Sequence, residues 1–164
     1  AKNFKKNISQ KLREAQRHAL KVPKTGMVVT LDIGDFDNIH PANKQDVGKR
    51  LARLALVNDY GFKLTPLGPI LKKSEVINNS IKLEFDHIGS GLVYLKDEIN
   101  QFEIANSNME YFKANVSIEK NHIFVSSDFV SNPKYVRYAW SDMPNATLFN
   151  TEGFPSSSFM IEIK

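Results

Sequence analysis

Apolar positions along the chain follow two different periods, and the change falls near residue 62. Before it, Leu12, Ala15, Ala19 and Leu20 share one face at helical spacing and predict a helix over Ser9–Leu20. Ser9 is the expected N-cap, and Pro23 ends the segment. Met27-Val-Val-Thr-Leu31 is a nearly continuous apolar run rich in β-branched residues. Such a run predicts a short strand buried on both faces of a parallel sheet, with Asp32–His40 as the loop at its C-terminal end. Pro41 is expected in the first turn of a second helix, whose apolar face carries Val47, Leu51, Leu54 and Ala55 and which stops at Gly61.

After residue 62 the period is two. Ile81, Leu83 and Phe85 alternate with charged residues, and Gly89-Ser-Gly91 makes a turn into Leu92–Leu95. Phe102–Ala105, the run Phe112, Ala114, Val116, Ile118, then Ile123–Val125, Tyr135–Trp140 and Phe159–Ile163 continue the pattern. Short strands separated by turn residues predict an antiparallel sandwich or barrel. The expected fold class is therefore α+β. Residues 1–61 supply a helix–strand–helix segment, and residues 62–164 an antiparallel β-sandwich domain.

Composition narrows the classes. A hydrophobic content of 41% and a charged content of 24% are globular values, which argues against disorder. No run approaches the ~20 apolar residues of a membrane helix, so no membrane partner is expected. Ala1–Lys6 lacks the apolar core of a signal peptide. With no cysteine, disulfides and thiolate metal sites are excluded. The net charge of +4 is concentrated early: Lys2, Lys5, Lys6, Lys11, Arg13, Arg17, Lys21 and Lys24 face only Glu14. Base-stacking aromatics are missing there, Phe4 standing alone, so a solvated helix face is expected and no nucleic-acid partner.

The chemistry is concentrated in Asp32-Ile-Gly-Asp-Phe-Asp-Asn-Ile-His-Pro41. Hydrolysis by a serine needs a base with a pKa near neutrality and a carboxylate that orients it. Asp37, three residues before His40, can fold back across a turn to do this; Asp35 is a rival, and Asp32 sits at the strand end. A plainer role for His40 and its neighbours is to cap the following helix. Asp32, Asp35, Asp37 and His40 could also hold a hard cation, but they lack the spacing and closing glutamate of an EF-hand, and no metal or other cofactor is expected. His18, His87 and His122 are expected at the surface. No G-x-S-x-G elbow is present. Ser90 joins two strands rather than a strand and a helix, and Ser156–Ser158 follow a proline near the end.

Several blocks together resemble the sialate O-acetylesterase family of the SGNH-hydrolase group. They are Leu12-Arg-Glu-Ala-Gln16, Val22–Asp35, Asn38–Leu51, Leu67-Gly-Pro69, Phe85–Leu92, Phe102–Ala105, Val136–Trp140 and Leu148–Pro155. The resemblance implies an SGNH α/β segment at the start and a β-sandwich accessory domain after it. It further implies a parent enzyme that removes acetyl groups from sialic acid or a related O-acetylated sugar, and one that is exported. It makes His40 the catalytic base, with Asp37 or Asp35 orienting it. The serine and oxyanion-hole blocks of that family lie upstream of the matched region, so the chain is expected to be a C-terminal portion, inactive alone, that needs the N-terminal part or associates with itself. Arg13 and Gln16 match a recurring Arg-x-x-Gln that touches substrate or braces the loop. Trp140 and Tyr138 could line a sugar site, as in a non-catalytic carbohydrate-binding module, although strand positions more often supply core.

Overall fold

The computed structural model describes residues 8–38, 40–96 and 100–163. Lys2, Phe4, Lys5, Lys6 and Ile39 lie outside these. Two helices come first: α1 (Ser9–Ala19) and α2 (Lys44–Asn58). Ten strands follow: β1 (Ile70–Ile77), β2 (Ser80–Asp86), β3 (Leu92–Tyr94), β4 (Phe102–Ala105), β5 (Tyr111–Lys113), β6 (Asn115–Glu119), β7 (His122–Ser126), β8 (Tyr135–Tyr138), β9 (Leu148–Asn150) and β10 (Phe159–Glu162). No described helix is long and apolar enough to cross a membrane.

The strands form two four-stranded sheets, ordered β1-β2-β7-β6 and β10-β8-β4-β5, with a separate β3-β9 pair. All pairings are antiparallel. Alternation sets what faces inward. Ile81 and Leu83 pair with Val125 and Ile123 in the first sheet, while Phe102 and Ile104 pair with Tyr138 and Val136 in the second. All eight are fully buried and belong to one core. At its centre the Phe102 ring lies 4.7 Å from Tyr138, and Phe159 lies 5.9 Å from Tyr138. Tyr138 accepts the Thr147 and Leu148 N–H groups at 3.0 and 2.9 Å, so its buried hydroxyl oxygen is paired within the core.

The single alternating run expected from Phe112 to Ile118 is instead divided between sheets. Tyr111–Lys113 pairs with β4, whereas Asn115–Glu119 pairs with β7. The buried Ala114 between them is small enough to let the chain cross, and its N–H bonds Phe102 O at 3.1 Å. Two strands give no clear sequence signal. A register break between Leu71 and Lys73 disturbs alternation in edge strand β1, and β9 has only three residues.

The first part of the chain departs further from expectation. Met27–Leu31 joins no ladder among the described residues. None of its N–H groups bonds a described residue; of its carbonyls, Thr30 O accepts Ile33 N–H and Val29 O accepts Arg50. The helix–strand–helix segment is therefore two helices around an extended, unpaired run. Residue composition favoured a strand, but a strand needs a neighbour to bond. Capping also differs. Ser9 does not cap α1; the Asp142 carboxylate accepts the Ile8 and Ser9 N–H groups, both at 3.0 Å, placing negative charge at the helix start. Pro41 lies ahead of α2, which is capped by Asn43 accepting Asp46 N–H at 3.1 Å. Gly61, at φ +73°, takes the left-handed conformation that turns the chain out of α2. Leu54 is buried, but Leu51 on the same expected apolar face is exposed.

An unpaired apolar run invites edge-to-edge pairing. The purified chain is expected to self-associate with rising concentration, and Val28→Pro to weaken this by removing a free N–H. Sedimentation velocity is the measurement; a monomer at every concentration would contradict it.

Burial raises Tyr94 to about 12 and also raises Tyr138. The neutral phenol of Tyr94 donates to Asn100 at 3.0 Å. A raised folded-state pKa gives stability that is fully present below the unfolded value and lost as pH rises through the folded one. Stability is thus expected to fall between about pH 10, the ordinary tyrosine value, and pH 12. Denaturant melts across that range, and a smaller fall in Tyr94→Phe, provide the check.

Candidate functional site

The loop after Leu31 carries the candidate acid–base residues, and its first residue is tightly held. The Asp32 carboxylate takes both Arg50 nitrogens, at 2.8 and 2.5 Å, and is spent as an ion-pair partner. Asp35 accepts the Asp37 N–H at 2.9 Å, and Asn38 accepts the His40 N–H at 2.8 Å, so the loop is built from side-chain-closed turns. Asp35, Asp37 and His40 are all exposed. No described carboxylate bonds the His40 ring, and the Asp37 carboxylate has no partner among the described residues. The structure therefore presents the acid and base side by side in sequence but not as a formed pair. No three His, Asp or Glu side chains converge as metal ligands among the described residues.

Beside this loop is a cleft of about 490 Å³. Asp32, Asp35 and Phe36 form one wall; Leu95, Met143 and Asn145 contribute to the other, from the β-rich part of the chain. Phe36 and Met143 expose most of their surface, so the cleft mixes apolar contact area with carboxylates. Such a mixture suits a sugar, whose faces are apolar and whose hydroxyls need bonding partners.

Arg13 and Gln16 separate in role. Arg13 crosses from α1 to the loop after β8, donating to Ala139 O at 3.2 Å, Ser141 O at 2.5 Å and Asp142 O at 3.5 Å, and to Ser158 Oγ at 3.1 Å. Burial draws its pKa down, opposed by Asp142. Its donors are spent on holding the cleft's far wall. Gln16 is exposed and bonds no described residue. Arg13→Ala is expected to cost about 1–3 kcal/mol, as the buried Ala139 O and Ser158 Oγ lose their donor, while Gln16→Ala stays within about 0.5 kcal/mol. Urea midpoints read both.

The remaining candidates are structural. Ser90 Oγ and N–H both bond Glu152, at 3.2 and 3.1 Å, and Gly89, at φ +59°, leaves room for that carboxylate. Burial raises the Glu152 pKa, but the bonds from Ser90 and Thr151 outweigh it and hold the carboxyl below its ordinary value. Ser156, Ser157 and Ser158 are buried, their hydroxyls engaged with Pro69 O, Ser158 O and Arg13. Tyr138 is sealed in the core and unavailable to a sugar, whereas Trp140 is half-buried. Sequence reasoning missed Arg50, Asp142, Met143 and Phe154. Arg50 bonds Asp32 18 positions away and Asp142 bonds Ile8 134 positions away, so local spacing carries no trace of these two.

Comparison with solved structures shows a clear likeness. A crystal structure described as that of a novel carbohydrate acetylesterase from Xanthomonas citri matches with a TM-score of 0.88 and 36% sequence identity over 99% of this chain. The match covers 38% of that chain, so the present sequence spans well under half of the esterase's length. No family model matches the chain, and no curated protein matches it. By both fold and sequence, the chain is related to part of a carbohydrate acetylesterase.

Proposed function

We propose that this chain is the histidine-bearing part of a carbohydrate O-acetylesterase. In this reading residues 1–61 belong to an SGNH-type esterase domain, and residues 62–164 to its β-sandwich accessory domain. The observation that carries it is the 36%-identical match to a carbohydrate acetylesterase across 99% of the chain. The cleft lined by Asp35 and Phe36, next in sequence to the exposed Asp37 and His40 that lie outside its lining, supports it. So does the unpaired Met27–Leu31 run, which offers free backbone groups to strands from elsewhere.

The chemistry follows from the groups present. His40 accepts the proton of a serine hydroxyl as that oxygen attacks the acetyl carbonyl, then returns it to the departing sugar oxygen. Water, activated by the same imidazole, releases acetate from the acyl-serine. Asp37 orients the ring: its carboxylate is free, whereas Asp35 is already bonded to the Asp37 N–H. The serine and the oxyanion donors come from polypeptide outside these residues. The substrate is an O-acetylated sugar, with sialic acid the specific expectation.

Acetate release tests this directly. The chain alone is expected to release none from acetylated sugars. Mixed with the portion of the Xanthomonas citri esterase outside the match, it is expected to release acetate, and His40→Ala to stop this. Turnover that survives His40→Ala would sink the assignment.

A further inference from the structure

We propose that Arg50 is a positioning residue for the Asp35–His40 loop, and that the β-rich part of the chain holds it in place through Phe154. The inference rests on the assignment of His40 given above, but its geometry is independent of it.

Arg50 is 9% exposed although it is charged and sits on a helix next to the solvated Lys49. Its guanidinium is shared three ways. Two nitrogens grip the two oxygens of Asp32 at 2.8 and 2.5 Å, and one of them also donates to Val29 O at 2.5 Å. Arginine's planar fork matches a carboxylate in one orientation only, so the pair fixes direction as well as distance. Asp32 and Val29 flank the point where the extended run ends and the loop begins. Holding both sets the exit angle of a segment that otherwise has only local turn bonds.

The clamp is in turn clamped. The Phe154 ring lies 6.0 Å from Arg50 Cζ and 5.4 Å from Arg53 Cζ, within reach for cation–π attraction. Arg53 also donates to Thr65 O at 2.6 Å. Phe154 cannot drift, because the buried Asn150 accepts its N–H at 2.9 Å while donating to Leu67 O and His87 O, both at 3.0 Å. The space enclosed by Val29, Arg50, Leu67 and Phe154 is only about 10 Å³, while the outer side of Arg50, Arg53 and Phe154 faces a groove of about 350 Å³. A continuous series of contacts thus leads from the loop before β10, through Phe154 and Arg50, to Asp32. The candidate acid–base loop is aimed through residues, Arg50 and Phe154, that are not themselves candidates for the proton transfer.

Nuclear magnetic resonance on the isolated chain tests this without needing turnover. The variants are Arg50→Lys, which keeps charge but loses the fork, and Phe154→Leu, with Lys49→Ala as control. In the first two, the amides of Ile33, Asp37 and His40 are expected to exchange about tenfold faster, and the His40 ring signals to shift. Core amides of Leu83 and Val125 should not change, and the control should match the parent chain. Unchanged loop amides and ring signals in both variants would overturn the proposal. Loss of the whole fold in both would overturn it too, since the pair would then hold the fold and not the loop. Failure of the acetate assay would bear on His40 and leave the clamp standing; failure here would leave the acetylesterase reading standing.

Discussion

If the proposed triad holds, His40→Ala is expected to lower kcat for acetyl-ester hydrolysis by about 10⁴-fold or more, with KM little changed. A serine hydroxyl is a poor nucleophile while it keeps its proton, and the imidazole is what removes it. The loss is expected on kcat because a ring in the proposed role interacts with the reacting oxygen in the transition state, not with the bound sugar. Stability is expected to stay within about 0.5 kcal/mol, because His40 is exposed and packs on nothing that closes the core. Asp37→Asn is expected to give the next largest loss; a larger loss in Asp35→Asn would exchange the two carboxylates' roles. Steady-state kinetics on acetylated sugars decide both points. Activity of His40→Ala within tenfold of the parent would remove His40 from the mechanism.

Phe102→Ala is expected to cost about 3–5 kcal/mol of folding stability. A domain of this size has about 5–15 kcal/mol in all, so the variant is close to unfolding at ordinary temperature. The ring is fully buried and meets Tyr138 at 4.7 Å, Tyr94 at 6.0 Å and Phe159 at 6.4 Å. Three strands converge on it, and rigid sheets cannot collapse to fill the space it leaves. Phe129→Ala is the contrast. That ring stacks on Phe112 at 5.5 Å but is 75% exposed, and its loss is expected to cost about 1 kcal/mol or less. Urea midpoints at constant slope distinguish the two. Equal costs would mean that the aromatic cluster is not the centre of the core.

How much of this was legible depends on whether the deciding partner is near in sequence. Ile81, Leu83 and Phe85 show their inward face by alternation alone, and β2 forms where that pattern lies. The Phe112–Ile118 pattern was equally clear but described two strands, because period two reports which side is buried and not which sheet is joined. Met27–Leu31 reads as a buried strand because its residues are apolar and β-branched, but it joins no ladder among the described residues, since composition reports strand preference and not the presence of a neighbour to bond. At the site, Asp35, Asp37 and His40 stand out by spacing. Their support does not: Arg50 finds Asp32 across 18 positions, and Asp142 caps α1 from 133 and 134 positions away. Neither long-range pairing leaves a local signature.

The crossing at Ala114 has a consequence for how the molecule comes apart. One short stretch stitches its preceding residues into one layer and its following residues into the other, with its own carbonyl held by Asn100. Peeling either layer pulls the thread that secures the second. Heating or denaturant should therefore find no resting point at which half the sandwich survives, and a protease should meet either the intact body or a fully opened chain.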